Sequence, residues 1–384
     1  MNTETRMIPF GKPIIGEEER NAVQDVLSGS VLVHGPRAQE FEARFAQFVG
    51  SGYATAVSSC TAALHLCYFY LGIKSGNEVI VPAQTHVATA HAVELCGATP
   101  VFVDSERETG NIDINQIERH ITERTRAISV VHFLGMPVNM ERVNQIAKRH
   151  NLFVVEDCAL AVGSYFKGVH AGLHGDAGCF SFYPVKHITT AEGGILLTKH
   201  EEMKAKIRLQ KAFGVDRHMG ERTVPGVYDV TMLGFNYRMS EIHAAIGIEQ
   251  IKRIPDFLKR RSENYHALLN GLRQIDEIDL FKSSNGAYES SYYCLSALLK
   301  EQLISKRFEI VNALKSKGIG TSIYYPRPVS LMSYYQAKYG IKEKHPIASW
   351  ISNSSISLPV GPHLTIEDTN YIVEGFKQAI MEVK

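Results

Sequence analysis

The chain has 384 residues, 45% of them hydrophobic and 21% charged, with a net charge of +1. That length is long for one core and natural for two, and the composition is that of an ordinary soluble globular protein. The near-zero charge, with no Lys/Arg run interleaved with aromatics, argues against nucleic acid or an acidic membrane as a partner, and no run reaches the roughly 18 apolar residues of a membrane span.

The six cysteines include no CxxC pair. Most lie in apolar runs, as small buried hydrophobes do in a reducing compartment, which places the protein in the cytoplasm. The first residues lead into no apolar signal segment.

In chain order, a helical pattern begins at Gly16, Gly35-Pro36 marks a turn, and Phe41, Phe45 and Phe48 recur at helical spacing up to Gly50. Residues 53–57 read as a buried strand that runs through Ser58-Ser-Cys-Thr61 into a helix over 62–71. A strand feeding a helix through small hydroxyl residues builds an anion site, because the first helical N–H groups lack internal partners and the dipole is positive there; taken alone, the stretch favours the plainer reading of Ser59 or Thr61 as an N-cap. Strands over 78–81 and 100–104 flank a helix over 85–95, with His86 at its start. Helix over 112–121, strand over 127–133 and helix over 140–148 continue the alternation. The strand over 152–157 then ends in Glu156-Asp157. In an open parallel sheet, ligands bind beyond the carboxyl ends of the strands, so Asp157 is placed for chemistry, with a capping role as the alternative.

The stretch from Cys179 to Gly194 carries Lys186 between an apolar strand-like run and Gly193-Gly194, whose backbone angles are expected to be ones a side chain forbids. A lysine on such a turn can face a cleft, where desolvation makes its amine nucleophilic at neutral pH. A polar loop over 215–229 precedes Gly234-Phe-Asn-Tyr-Arg-Met-Ser240, in which Asn236 and Arg238 can donate to phosphate or carboxylate and Ser240 caps the next helix. Beyond it, the sequence gives a helix over 252–275, strands over 291–299 and 318–325, a helix over 308–317 and a last helix from Thr365. These patterns predict an α/β fold in two domains. Residues 1–251 form a large domain with a mostly parallel sheet flanked by helices, and 252–384 a smaller α+β domain.

A lysine on a turn, a strand-end carboxylate, a helix-start anion cradle, a flat imidazole and further donors at Ser181 and Asn236 are together what pyridoxal 5′-phosphate needs. The chain resembles the DegT/DnrJ family of pyridoxal-phosphate sugar aminotransferases, of the fold type I (aspartate aminotransferase) class. The likeness runs over nearly its whole length. It is carried by Ser58-Ser-Cys-Thr-Ala-Ala-Leu-His-Leu66, Gly97-Ala-Thr-Pro-Val-Phe-Val-Asp104, Val155-Glu-Asp157, Phe180-Ser-Phe182, Lys186 with Thr189-Thr-Ala-Glu-Gly-Gly194, Gly234-Phe-Asn-Tyr-Arg-Met-Ser-Glu241 and Gly318-Ile-Gly-Thr321.

The resemblance implies that Lys186 forms the internal aldimine and shuttles the proton, and that Asp157 pairs with the pyridinium nitrogen. It implies that Thr61, Ala62 and Ser181 bind the phosphate, that His86 lies over the ring, and that Asn236 reaches the phosphate from the neighbouring subunit of a homodimer. Arg238, Tyr324 and Arg327 are candidate substrate contacts. Three positions depart from the family pattern: Leu160 stands where Gln or His is usual near the cofactor's phenolic oxygen, Cys60 where Gly is common, and His86 where an aromatic is usual, which makes stacking sensitive to pH. The expected reaction moves an amino group from glutamate or a similar donor to a keto-deoxy sugar on a nucleotide diphosphate, in amino-sugar biosynthesis for a surface polysaccharide or natural product. Relatives with His in place of the lysine are 3-dehydratases, so a dehydratase, transfer to a non-nucleotide ketone and a non-enzymatic regulator are the alternatives. No metal is expected.

Overall fold

A computed structural model of the chain describes residues 6–216, 224 and 226–384. Its strands, in chain order, are β1 (Tyr53–Val57), β2 (Glu78–Pro82), β3 (Thr99–Val103), β4 (Thr125–Val131), β5 (Phe153–Asp157), β6 (Tyr165–Phe166), β7 (Val169–His170), β8 (Ala177–Ser181), β9 (Gly194–Thr198), β10 (Ile278–Leu280), β11 (Tyr288–Glu289), β12 (Leu295–Leu299) and β13 (Ser355–Leu358). The main sheet has seven strands in the order β1-β9-β8-β5-β4-β2-β3. Its pairs from β8 through β5, β4 and β2 to β3 are parallel, and β9 runs antiparallel to both β1 and β8. The expected α/β class with a mostly parallel sheet is what the chain adopts.

Both faces of this sheet are apolar because successive side chains point to opposite sides. Val79, Val81, Ala127, Val155 and Leu196 face one core, packed by the helices Cys60–Tyr70 and Val87–Leu95. Their neighbours Ile80, Ile128, Val130 and Val154 face the other side with the helix Met140–His150. There too, Ile195 and Leu197 meet Phe41 and Phe45 of the helix Pro36–Val49. Phe45 sets its ring edge-on to Phe180 and Phe182, with centroids 4.9 and 5.6 Å apart. The Phe stripe is therefore core, and Pro36 opens its helix at a position that needs no N–H donor.

A three-stranded antiparallel sheet, β10-β12-β13, lies later in the chain. It packs on the helices Ile254–Leu272, Arg307–Ser316 and Ile366–Val383. Several expected elements differ. The strand over 318–325 is instead two isolated bridges, Ile8 with Ile319 and Ser322 with Ser357. The one over 291–299 shrinks to β12, and the helix over 112–121 to Ile114–Ile117 with a following 3-10 turn. The helix over 252–275 begins at Ile254, where Pro255 opens it. Two short helices, Ser333–Tyr339 and Pro346–Ser354, were not expected. Most of the polar loop over 215–229 (217–223 and 225) lies outside the described residues.

Under the sheet, Glu156 accepts from the main-chain N–H groups of Gly172, His174 and Gly175 at 2.8, 2.8 and 2.6 Å and meets His132 Nε2 at 3.0 Å. With Cys158 these side chains come within metal-ligating distance of one another. However, His132 Nδ1 accepts from Val138 N–H, so Nε2 carries the proton and points at the carboxylate. Glu156, with His132, is a hydrogen-bonded fastening for the loop before β8.

Candidate active site

A cleft of about 340 Å³ opens at the carboxyl ends of β4, β5 and β8, within the usual range of about 300–1,000 Å³ for small-molecule sites. Thr61, His86, Asp157, Leu160, Ser181, Lys186 and Tyr324 all line it. Ala62, Asn236, Arg238 and Arg327 do not.

The turn that carries Lys186 joins β8 to β9 and is tied across its own base. Phe182 N–H donates to Gly193 O, and Phe182 O accepts from Thr190 N–H and from the Thr189 hydroxyl, each at 3.0 Å. The expected reason for the paired glycines is corrected here: neither has a positive φ, and the left-handed residue of this turn is Ala191, at φ 67°. What demands glycine is close approach. A Cβ on Gly194 would sit 2.5 Å from Ser59 C and 2.6 Å from Cys60 N, and one on Gly193 would sit 2.6 Å from Met239 Cε. The start of β9 thus presses on the start of the helix Cys60–Tyr70.

Lys186 Nζ lies 5.3 Å from the centroid of the Tyr293 ring. Among the described residues no hydrogen bond or ion pair engages it. Burial pulls its pKa below that of a free lysine, more than the nearby Cys60 and Asp157 raise it. Asp157 is 4% exposed. Its Oδ2 accepts from the Thr89 hydroxyl at 2.7 Å and its Oδ1 from Ala159 N–H at 3.1 Å. Thr89 is held by Thr85, hydroxyl to hydroxyl, at 2.8 Å.

Ser59 is the N-cap of the helix Cys60–Tyr70, its hydroxyl accepting from Ala62 N–H at 3.0 Å. Ala62 thus has its N–H engaged within the helix start, while Thr61 fronts the cleft. His86 likewise caps the helix Val87–Leu95, its Nδ1 accepting from Ala88 N–H at 3.2 Å. Burial pulls its pKa below the ordinary value, so the ring is neutral at pH 7. Leu160 is buried on the cleft wall, and its carbonyl accepts from the Ser291 hydroxyl at 2.7 Å.

Arg238 bonds His34 through Nη1 at 3.0 Å and lies 5.2 Å over the Phe213 ring. Asn236 is exposed and bridges Ala212. Arg327 is exposed in the turn after Tyr325. Tyr324 shares a hydroxyl-to-hydroxyl bond of 2.7 Å with Tyr293.

The sequence reading missed Thr89, Tyr293 and Tyr325. Thr89 sits one helical turn after His86, a signal visible in Thr85-His-Val-Ala-Thr89. Tyr293 precedes β12, and its reach back to Lys186 leaves no local mark.

The family model described as DegT/DnrJ/EryC1/StrS aminotransferase matches residues 13–377. The chain belongs to this aminotransferase family. The aminotransferase is 38% identical over 378 residues to GDP-perosamine synthase of Escherichia coli O157:H7, with 97% of this chain and 98% of that protein covered. It is 37% identical over 379 residues to the spore coat polysaccharide biosynthesis protein SpsC of Bacillus subtilis, covering 97% of each. Among solved structures it superposes on Spr1654 of Streptococcus pneumoniae, assigned as a sugar aminotransferase and solved in its PMP form. The TM-score is 0.93 at 29% identity, with 98% of this chain and 100% of that chain covered. The PLP form of the same protein matches at a TM-score of 0.92.

Proposed function

We propose that the protein is a pyridoxal-phosphate-dependent aminotransferase that moves an amino group from glutamate, or a similar donor, to a keto-deoxy sugar on a nucleotide diphosphate. The reaction serves amino-sugar biosynthesis for a surface polysaccharide or natural product. The observation that carries the reading is one cleft lined by Lys186, whose amine has no hydrogen bond or ion pair among the described residues, and by a buried Asp157 whose donors are a hydroxyl, an amide and a thiol at 3.9 Å. A buried carboxylate without a cationic partner favours a protonated ring nitrogen beside it. The donor set therefore fits pyridoxal 5′-phosphate.

When bound, the cofactor supplies the carbonyl that receives the amino group and a ring that draws off the electrons left when a carbon loses its proton. This chain's residues do the rest. Lys186 holds the cofactor covalently and moves the proton at Nζ, for which its depressed pKa suits it. Asp157, steadied by Thr89, accepts the ring N–H. Thr61 and Ser181, with the start of the helix Cys60–Tyr70, hold the phosphate, while Ala62, its N–H engaged by Ser59, stands behind them. His86 stacks on the ring, and Tyr293, Tyr324 and Tyr325 exclude water on the substrate side, with Arg327 further out. Leu160 supplies no polar contact.

The reading includes a homodimer with shared sites. Among the described residues, Lys186 and the neutral His86 are the only basic side chains lining the cleft, too little for a phosphate and an anionic substrate together. Asn236 and Arg238 lie outside it, Arg238 against His34 and the exposed Phe213 ring, and Val31, Leu32 and Leu233 are exposed as well, apolar side chains of the kind a second chain covers. The Asn236 and Arg238 of that second chain then complete the phosphate and carboxylate contacts. We take 1–251 and 252–384 as the two domains, closing over the substrate, and the cytoplasm as the compartment, where the buried thiols stay reduced.

The test is reconstitution with pyridoxal phosphate and assay with glutamate against a panel of nucleotide-linked 3-keto and 4-keto sugars. The expected result is one amino sugar per 2-oxoglutarate formed, with Lys186→Ala losing both the bound-cofactor absorbance and all turnover. Multiple turnover by Lys186→Ala, or a product that has lost a hydroxyl and gained no amine, overturns it.

A further inference from the structure

A second, much smaller chamber of about 10 Å³ also borders Lys186. His187, Gln250 and Arg261 are among its walls, and among the described residues no carboxylate lines it. Arg261 is 5% exposed and His187 3%. Each presents one buried polar atom with no hydrogen-bond partner: Nε of Arg261 and Nδ1 of His187. Arg261 Nη1 donates to Tyr293 O at 3.0 Å, and His187 Nε2 meets Ser291 O at 3.1 Å. Gln250 is engaged at both ends, accepting from Thr189 N–H at 3.3 Å and donating to Ile14 O and Glu19 Oε1 at 2.8 and 2.7 Å.

Both residues wall this one chamber, and the chemistry of their two free atoms identifies what fits in it. A carbonyl only accepts, so Nε2 of His187 carries the ring proton. Burial and the charge of Arg261 hold that imidazole neutral. Nδ1 is then a bare lone pair, whereas Nε–H of Arg261 is a donor. An occupant must accept from one and donate to the other within the space of about one water-sized sphere. Water does both; a monovalent anion would satisfy Arg261 but face the lone pair of His187.

We propose that this chamber is a one-water site, and that Arg261 and His187, joined through that water, are positioning residues for Lys186. One guanidinium then fixes two things at once. Through the water it holds the residue that follows Lys186, and through Tyr293 O it holds the ring over which Lys186 Nζ lies. The two rings, His187 and Tyr293, sit 5.6 Å apart. Neither Arg261 nor His187 lines the larger cleft, so their effect is on where the amine stands.

A crystal structure of the holoenzyme at a resolution that shows solvent tests the site directly. One peak is expected within hydrogen-bond reach, about 2.7–3.2 Å, of both Arg261 Nε and His187 Nδ1. No peak, a peak bonded to one atom only, or an anomalous signal there after a bromide soak overturns it. The kinetic arm rests on the aminotransfer reading above. In Arg261→Met, kcat for the donor half-reaction is expected to fall on the order of 10-fold or more from misplacement of the amine, with KM little changed and partial rescue in Arg261→Lys. Unchanged kcat overturns the positioning role. Should Arg261→Met not fold, His187→Asn, which keeps an acceptor near Nδ1, against His187→Leu reads the same split. Failure of the aminotransfer reading shows separately, as no turnover by the unaltered enzyme with the water still in place.

Discussion

At the scale of single residues, Asp157 has the most sharply defined surroundings. Its two oxygens are held by Thr89 and Ala159, so its position is fixed before anything binds. Asp157→Asn keeps the shape and removes the charge, its Oδ1 still accepting from Ala159 N–H while the Thr89 hydroxyl turns to accept from Nδ2. It is expected to lower turnover on the order of 10²–10³-fold, the scale of removing one member of a buried ion pair, while the fold survives. Stopped-flow measurement of the glutamate half-reaction, with circular dichroism as the control, checks it; turnover within about threefold of the unaltered enzyme would exclude an electrostatic role. Both Lys186 and Asp157 were legible in the sequence because each ends or follows a buried apolar strand, and strand ends are where such sheets bind ligands. Thr89 and Tyr293 were not. Thr89 acts through a neighbour's carboxylate, and Tyr293 arrives from more than a hundred residues away.

At the scale of elements, the contact between the start of β9 and the helix Cys60–Tyr70 decides the site. Gly194→Ala places its Cβ 2.5–2.7 Å from three main-chain atoms, of Ser59, Cys60 and Phe180, and main chain cannot swing aside as a side chain does. The strand and the helix must part, at a cost of about 1–3 kcal/mol for an overpacked position. Because the helix start is the proposed phosphate cradle, pyridoxal phosphate affinity is expected to drop roughly 10-fold or more, about 1.4 kcal/mol, alongside a lower melting temperature. Titration of the apoenzyme with cofactor, read by absorbance, checks it; full affinity would show that the helix start does not hold the phosphate.

The same scale shows where sequence patterns carried the fold. Parallel strands buried on both faces appear as short continuous apolar runs, and β2, β3 and β5 all stand within a residue or two of where they are expected. The segment 318–325 looked equally strand-like. It fails as a strand because it pairs at two single points, Ile319 with Ile8 and Ser322 with Ser357 of β13, and no continuous ladder forms between them. No local pattern records which partner a segment will find.

At the scale of the whole molecule, burial has pushed many histidines the same way. His65, His86, His170, His174, His187, His243, His345 and His363 all have pKa values lowered, chiefly by desolvation. His170 is the clearest case. It is 1% exposed and packs on Phe48 and Tyr165. Its Nε2 accepts from Gly163 N–H at 2.9 Å and its Nδ1 donates to Ala171 O at 2.6 Å, a fully used neutral ring. Its pKa falls from 6.5 to about 4. Above pH 6.5 both folded and unfolded chains hold it neutral, and nothing is lost. As pH falls through that value the unfolded chain takes up the proton first, and stability declines until about pH 4, where the folded chain takes it up too. The shift corresponds to roughly 3 kcal/mol across that window. The other histidines act in the same direction, so the apoprotein is expected to lose stability well before the carboxylates titrate. Urea unfolding of the apoprotein from pH 7 down to pH 4.5 should show a steep fall in midpoint, made shallower by His170→Gln, which keeps an acceptor but cannot take the proton. A midpoint flat across that range, or a slope identical in the variant, would mean that His170 reaches its proton without unfolding.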